Sequence, residues 1–88
     1  MTNVAVESFE QVQEPIRVVA SFDGPKVRLH SFEWRERIYQ VETVNLFHIE
    51  KDAEKSLYHF AVSSEGNDYD IVFNPTNLAW KLQEIVAV

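Results

Sequence analysis

Apolar and polar side chains alternate along most of this chain, and the points where the alternation slips are as informative as the alternation. Ile16, Val18, Ala20 and Phe22 take every second position around Arg17, Val19 and Ser21, the period of a strand with one face buried. FDGPK (residues 22–26) interrupts it, with Gly24 free to take positive φ and Pro25 fixing the exit. Val27 and Leu29 then share one parity, whereas Phe32 and Trp34 share the other. A strand keeps both pairs on one face only with an inserted residue, which predicts a bulge or sharp bend at His30-Ser31.

FEWRERIYQV (residues 32–41) has the pattern of a hairpin whose two-residue loop is Arg35-Glu36, although such loops favour Asn-Gly or Gly. In that register Trp34 faces Arg37, Phe32 faces Tyr39 and His30 faces Val41. The Phe32–Tyr39 pair and a Trp34–Arg37 cation–π contact then fix what the loop residues do not. Parity changes after Val41 and again between Leu46 and Phe47. These slips predict a strongly bent strand at a barrel corner, or two strands joined at Glu42-Thr43.

EKDAEK (residues 50–55) is a polar connection into a second hairpin. With Glu65-Gly66 as its loop, Val62 faces Tyr69, Phe60 faces Ile71 and Tyr58 faces Phe73. Each large apolar side chain thereby meets an apolar partner on one face, the agreement expected of a true register. NPTN (residues 74–77) is a loop, and Trp80, Leu82, Ile85 and Val86 predict a last strand rather than a helix, because they complete no helical stripe and lack caps. Residues 1–14 are acidic and weakly periodic and read as a flexible tail; Val4, Val6 and Phe9 are the only hint of a further strand there. Residues 15–88 form a single domain. The predicted fold is all-β: about six strands in a small, strongly bent antiparallel sheet closing into an SH3-like or OB-like barrel.

Composition narrows the function classes. Eighty-eight residues hold one core. The chain has no cysteine, hence no disulfide framework and no thiolate chemistry, which suits a reducing cytosolic setting. No apolar run approaches a bilayer span and the N-terminus has no secretory pattern, so no membrane role is expected. The net charge is -6, yet five of the eight basic residues fall between positions 15 and 41. An acidic chain repels phosphate backbones overall, and the basic stretch reads first as a solvated strand face.

Chemistry-bearing patterns are sparse. His30, His48 and His59 share no metal-ligand spacing, and read as partly exposed imidazoles; no metal or other cofactor is expected. Asp68 and Asp70 share a strand face and read as a solvated edge guard. With only Gly24 and Gly66, a glycine-rich phosphate cradle cannot be built. No nucleophile motif is present, so no enzyme activity is predicted. The remaining resource is aromatic: Trp34, beside Arg28, Arg35 and Arg37, combines a stacking surface with cations, and Trp80 lies near another strand end. These five residues are the candidate binding set. The expectation is a protein–protein interaction module working through an exposed sheet edge or the Trp34/Arg35/Arg37 corner. The alternative is single-stranded nucleic-acid binding by the same corner.

FEWRERIYQVETV (residues 32–44), with LYHFAV (57–62) and YDIVFNPTNLAWKLQEI (69–85) behind it, resembles a family of short bacterial all-β proteins of unknown function. Their pattern is an F-x-W-R-G-R-x-Y-x-V hairpin and a W-x-L C-terminal strand. Phe32, Trp34, Arg35, Arg37, Tyr39, Val41, Tyr69, Trp80 and Leu82 carry the resemblance; Glu36 stands where the pattern has glycine. The resemblance implies no catalytic residue, and it adds a little weight to a nucleoprotein partner.

Overall fold

The computed structural model describes residues 8–87, and every regular element in them is a strand. In chain order these are β1 (Ser8–Pro15), β2 (Arg17–Asp23), β3 (Lys26–Trp34), β4 (Arg37–Gln40), β5 (Thr43–Asp52), β6 (Lys55–Ser64), β7 (Asn67–Asn74) and β8 (Ala79–Ala87). They form two antiparallel sheets, a five-stranded one in the order β1-β8-β7-β6-β5 and a three-stranded one in the order β2-β3-β4. Neither sheet closes into a barrel. The expected single curled sheet is instead two sheets face to face, eight strands rather than about six.

Both predicted hairpins form in the predicted register. Phe32 pairs with Tyr39 and Trp34 with Arg37; Val62 pairs with Tyr69, Phe60 with Ile71 and Tyr58 with Phe73. The bulge lies where parity required it, since Val19 pairs with Ser31 and Ala20 with Leu29, leaving His30 as the extra residue. The next slip is a change of sheet. The chain leaves β4 at Gln40 and enters β5 at Thr43, pinned by Val41 N donating to His30 O at 2.9 Å and Glu42 N to Ser63 O at 2.9 Å. A further extra residue, Asn45, brings Val44, Phe47 and Ile49 onto the face of Val62, Phe60 and Tyr58. Gln83 does the same in β8, so Trp80, Leu82 and Ile85 all point inward.

The expected flexible tail is corrected in part. Ser8–Pro15 is a strand, paired with β8 from Ser8–Ala87 to Pro15–Lys81. Its own bulge, with Gln13 at φ 56°, places Val12 against the core. Val4 and Val6 lie outside the described residues.

The core is one cluster drawn from both sheets: Leu29, Phe32 and Tyr39 from the small sheet, Phe60, Val62, Tyr69, Ile71, Phe73 and Leu82 from the large one. Tyr69 joins the layers, its ring 5.2 Å from Phe32 and 5.5 Å from Tyr39, spacings at which offset and edge contacts add to burial. Burial pushes the Tyr69 hydroxyl pKa up. Three strands cannot cover five. β4 has only four residues, so the inner face of β5 extends past the small sheet.

Candidate functional site

The predicted Trp34/Arg35/Arg37 corner is a real cluster, and its polar groups are already partnered. The indole Nε1 of Trp34 donates to Glu14 Oε1 at 2.8 Å. Arg35 donates to the same carboxylate, at 2.8 Å from Nη2, and lays its guanidinium 4.4 Å from the Trp34 ring centroid. The hydrogen bonds from Arg35 and Trp34 hold the Glu14 carboxyl below its usual pKa. Arg37 pairs with Glu65 and sits 4.9 Å from the Tyr39 ring. The corner is therefore a clasp, binding β1 to the first hairpin and that hairpin to the second. Glu14, assigned to the tail on sequence, is its central member.

Trp80 and Arg28 are elsewhere. Trp80 is half-buried on the inner face, 4.4 Å from Phe73 and 5.8 Å from Phe60 between centroids. Arg28 lies six residues from Trp34 along β3, roughly 20 Å at strand rise.

Arg28 instead lines an open cleft between the sheets. One wall is the start of β3 with its turn, Pro25, Lys26, Val27 and Arg28; the other is Val44, Phe47, Ile49, Tyr58 and Phe60, and the space between is about 540 Å³. A second hollow of about 460 Å³ shares Val27, Arg28 and Val44 and runs on to the β4–β5 crossover at Val41-Glu42. Val44, Phe47 and Ile49 point to the core side by register, yet stay 43%, 45% and 48% exposed. Val19, Phe22, Ile38, Leu46 and Leu78 are exposed too. Val19 and Ile38 face outward, Leu46 takes the opposite face of β5, Leu78 is in a turn, and Phe22 stands at the end of β2 with its ring 6.0 Å from Phe73, so they form no such line. Single exposed apolar residues are ordinary; a contiguous core-facing row over a cavity is not.

Two backbone edges flank this row. Among the described residues β5 pairs only with β6. β3 pairs with β4 only over Ser31–Trp34, which leaves Lys26–Leu29 with β2 as its single strand partner among the described residues. Along this second edge Val27 and Leu29 turn inward while Lys26, Arg28 and His30 are exposed. Lys26 and Arg28 form no ion pair among the described residues.

The outer face of the large sheet holds the other polar cluster. His59 is buried, 6% exposed, where sequence reading expected a partly exposed imidazole. His48 stacks on it at 4.7 Å and 7°, and His59 Nε2 and Nδ1 lie 3.3 Å from Glu50 Oε1 and 3.9 Å from Asp70 Oδ1. Burial raises the Asp70 pKa, an effect that His59 opposes. Among the described residues no group of three or more His, Asp or Glu is arranged to hold a metal ion.

Sequence reading missed Val44, Phe47 and Ile49 as a surface. Their signal was present in the parity slip at Asn45, but parity tells which face a residue takes, not whether another sheet covers it. Comparison with protein-family models, curated proteins and solved structures finds no match.

Proposed function

We propose that this protein is a binding module whose partner is another protein, and that a segment of the partner docks in the inter-sheet cleft. The observation that carries the reading is the row Val44, Phe47 and Ile49, turned toward the core side yet uncovered. Apolar surface left in water forgoes about 25 cal/mol per Å² of stabilisation, which the row on this edge strand gains when a partner covers it. Lys26 and Arg28 on the facing wall favour an acidic segment. A cysteine-free chain suits the cytosol as the place of this encounter.

Single-stranded nucleic acid at the Trp34 corner has less support, because Arg35 and Arg37 are each already paired with a glutamate.

Selection from a displayed library of random octapeptides against the whole chain tests the proposal. Phe47→Ser and Ile49→Thr serve as counter-targets, with circular dichroism verifying that each is folded. Enriched peptides should bind the wild-type chain and lose at least about tenfold on both variants, a loss of ~1.4 kcal/mol. Enrichment of peptides indifferent to both substitutions refutes the cleft as the site, and no enrichment refutes the binding reading.

A further inference from the structure

We infer that the partner segment enters as an added strand on the free Lys26–Leu29 edge of β3, with apolar residues inward and acidic residues outward. The inference rests on the binding reading above and specifies its occupant. The first observation is the unpaired edge: β4 covers Ser31–Trp34 and stops, while β3 continues for Lys26–Leu29 with β2 as its single strand partner among the described residues, and Lys26–Arg28 line the cleft. A guest of four or five residues there extends the line of β4, antiparallel to β3, over roughly 13–17 Å. It turns the three-stranded sheet into one that reaches over β5, covering the row that three strands leave bare. Adding a strand to an open edge is a general mode of peptide capture, in which the backbone supplies affinity and alternate side chains supply specificity.

The second observation is the alternation of β3 itself. Val27 and Leu29 point inward, and Lys26 and Arg28 point outward without ion-pair partners. Cross-strand neighbours share a face. A guest strand therefore places one set of side chains between Val27, Leu29, Val44 and Phe47, which demands apolar groups, and the other set beside Lys26 and Arg28, which demands carboxylates. The partner's signature is an acidic–apolar alternation of period two. These two cations belong to a chain of net charge -6 and stand on the edge strand itself, whereas Asp23 lies across on β2 opposite Lys26 and Glu42 lines the crossover end of the hollow.

The probe is a fluorescein-labelled heptapeptide of alternating glutamate and valine, with a lysine–valine heptapeptide as its opposite, each titrated against the full chain by fluorescence anisotropy. The glutamate peptide should bind and the lysine peptide should not. The double variant Lys26→Glu/Arg28→Glu should weaken the first by at least tenfold and admit the second. Alternate amides of an added strand face β3, and the others face away. Methylating the backbone nitrogens of one alternate set should therefore abolish binding, and methylating the other set should leave it within about twofold. If both methylated peptides bind as well as the parent, strand addition is wrong while the cleft remains the site. If neither heptapeptide binds but selected octapeptides without alternation do, and depend on Phe47, the acidic-strand inference falls and the binding reading stands. Dimerisation of the chain through β5, seen in sedimentation and abolished by Phe47→Ser, would make the occupant a second copy and overturn the inference.

Discussion

The Arg35-Glu36 turn predicts that Glu36→Gly stabilises this protein. Both loop residues have positive φ, 53° and 66°, the left-handed pair that a two-residue hairpin loop of the I′ type requires. A side chain in that region costs about 1–2 kcal/mol relative to right-handed backbone. Glycine removes the cost but widens the unfolded ensemble by about 0.5–1 kcal/mol. The net gain is about 0.5–1 kcal/mol, or roughly 2–8 °C in Tm for a domain of this size. Glu36 is exposed and makes no side-chain hydrogen bond or ion pair among the described residues, so nothing is lost with its side chain.

Arg35→Gly relieves the same kind of backbone and is the informative control. It deletes the contacts to Glu14 and the Trp34 ring, so its gain should be smaller than that of Glu36→Gly, or reversed. Urea titration followed by tryptophan fluorescence measures both, with an unchanged m-value showing that the effect lies in the native state. A Glu36→Gly protein no more stable than the parent would refute the reasoning, because the left-handed backbone would then carry no cost. Of the two charges in this loop, Arg35 answers a tertiary need: it holds Glu14, and with it β1, to the hairpin end.

Further outcomes follow from the core and the charged groups. Phe60→Ala should cost about 3–5 kcal/mol in urea unfolding, whereas Phe47→Ala, already half-exposed, should cost roughly 1–1.5 kcal/mol; equal costs would mean that β5 is covered in solution. The lowered Glu14 pKa means stability that is present above the ordinary value of 4.5 and is lost as pH falls through the folded value. Glu14→Gln should therefore lower the neutral-pH urea midpoint and flatten its acid limb. Asp70 has the opposite sign: burial raises its pKa, the folded state keeps the proton longer, and stability falls as pH rises from the ordinary carboxylate value through the raised one. Asp70→Asn, which retains a polar group between His59 and Gln83, should make the midpoint less dependent on pH across that window.

Strand identity and register were legible because each rests on local alternation. Phe32 with Tyr39 and Phe60 with Ile71 could be paired on paper, since one face must be apolar and a two-residue loop fixes the offset. Even the irregularities showed, because His30 breaks parity in the sequence before it bulges in the sheet. What was not legible was which strands share a sheet. Val41-Glu42 reads equally as a bend within one sheet or a crossing between two, and only the hydrogen bonds to His30 and Ser63 decide it. β1 escaped for a related reason: its bulge at Val12-Gln13 destroys the period by which a strand is recognised, and its partner β8 is some seventy residues away. The candidate site inherits this limit, because Arg28 could be named but not placed, and Trp34 looked free while Glu14 was assigned to a tail.

The protection of β5 shows what its exposure means. Edge strands are usually guarded by charge, proline, a bulge or short length. β5 has charges, but Glu50, Lys51 and Asp52 gather at its far end, and its bulge at Asn45 turns Phe47 and Ile49 toward the cleft instead of away from water. It contains no proline and runs for ten residues. β4 shows that the chain can blunt an edge, since it has four residues and only Ile38 exposed among its large apolar side chains. A bulge that spoiled the edge without aligning an apolar row would have served solubility equally well. The alignment of Val44, Phe47 and Ile49 is what such a guard leaves unexplained, and a guest strand accounts for it. On that account, substitutions that shorten the row by adding polarity, such as Ile49→Thr, should raise the concentration at which the free chain stays monodisperse in light scattering, and weaken peptide capture in the same variant. A gain in solubility with capture intact would separate the two properties and remove the row's claim to be a binding surface.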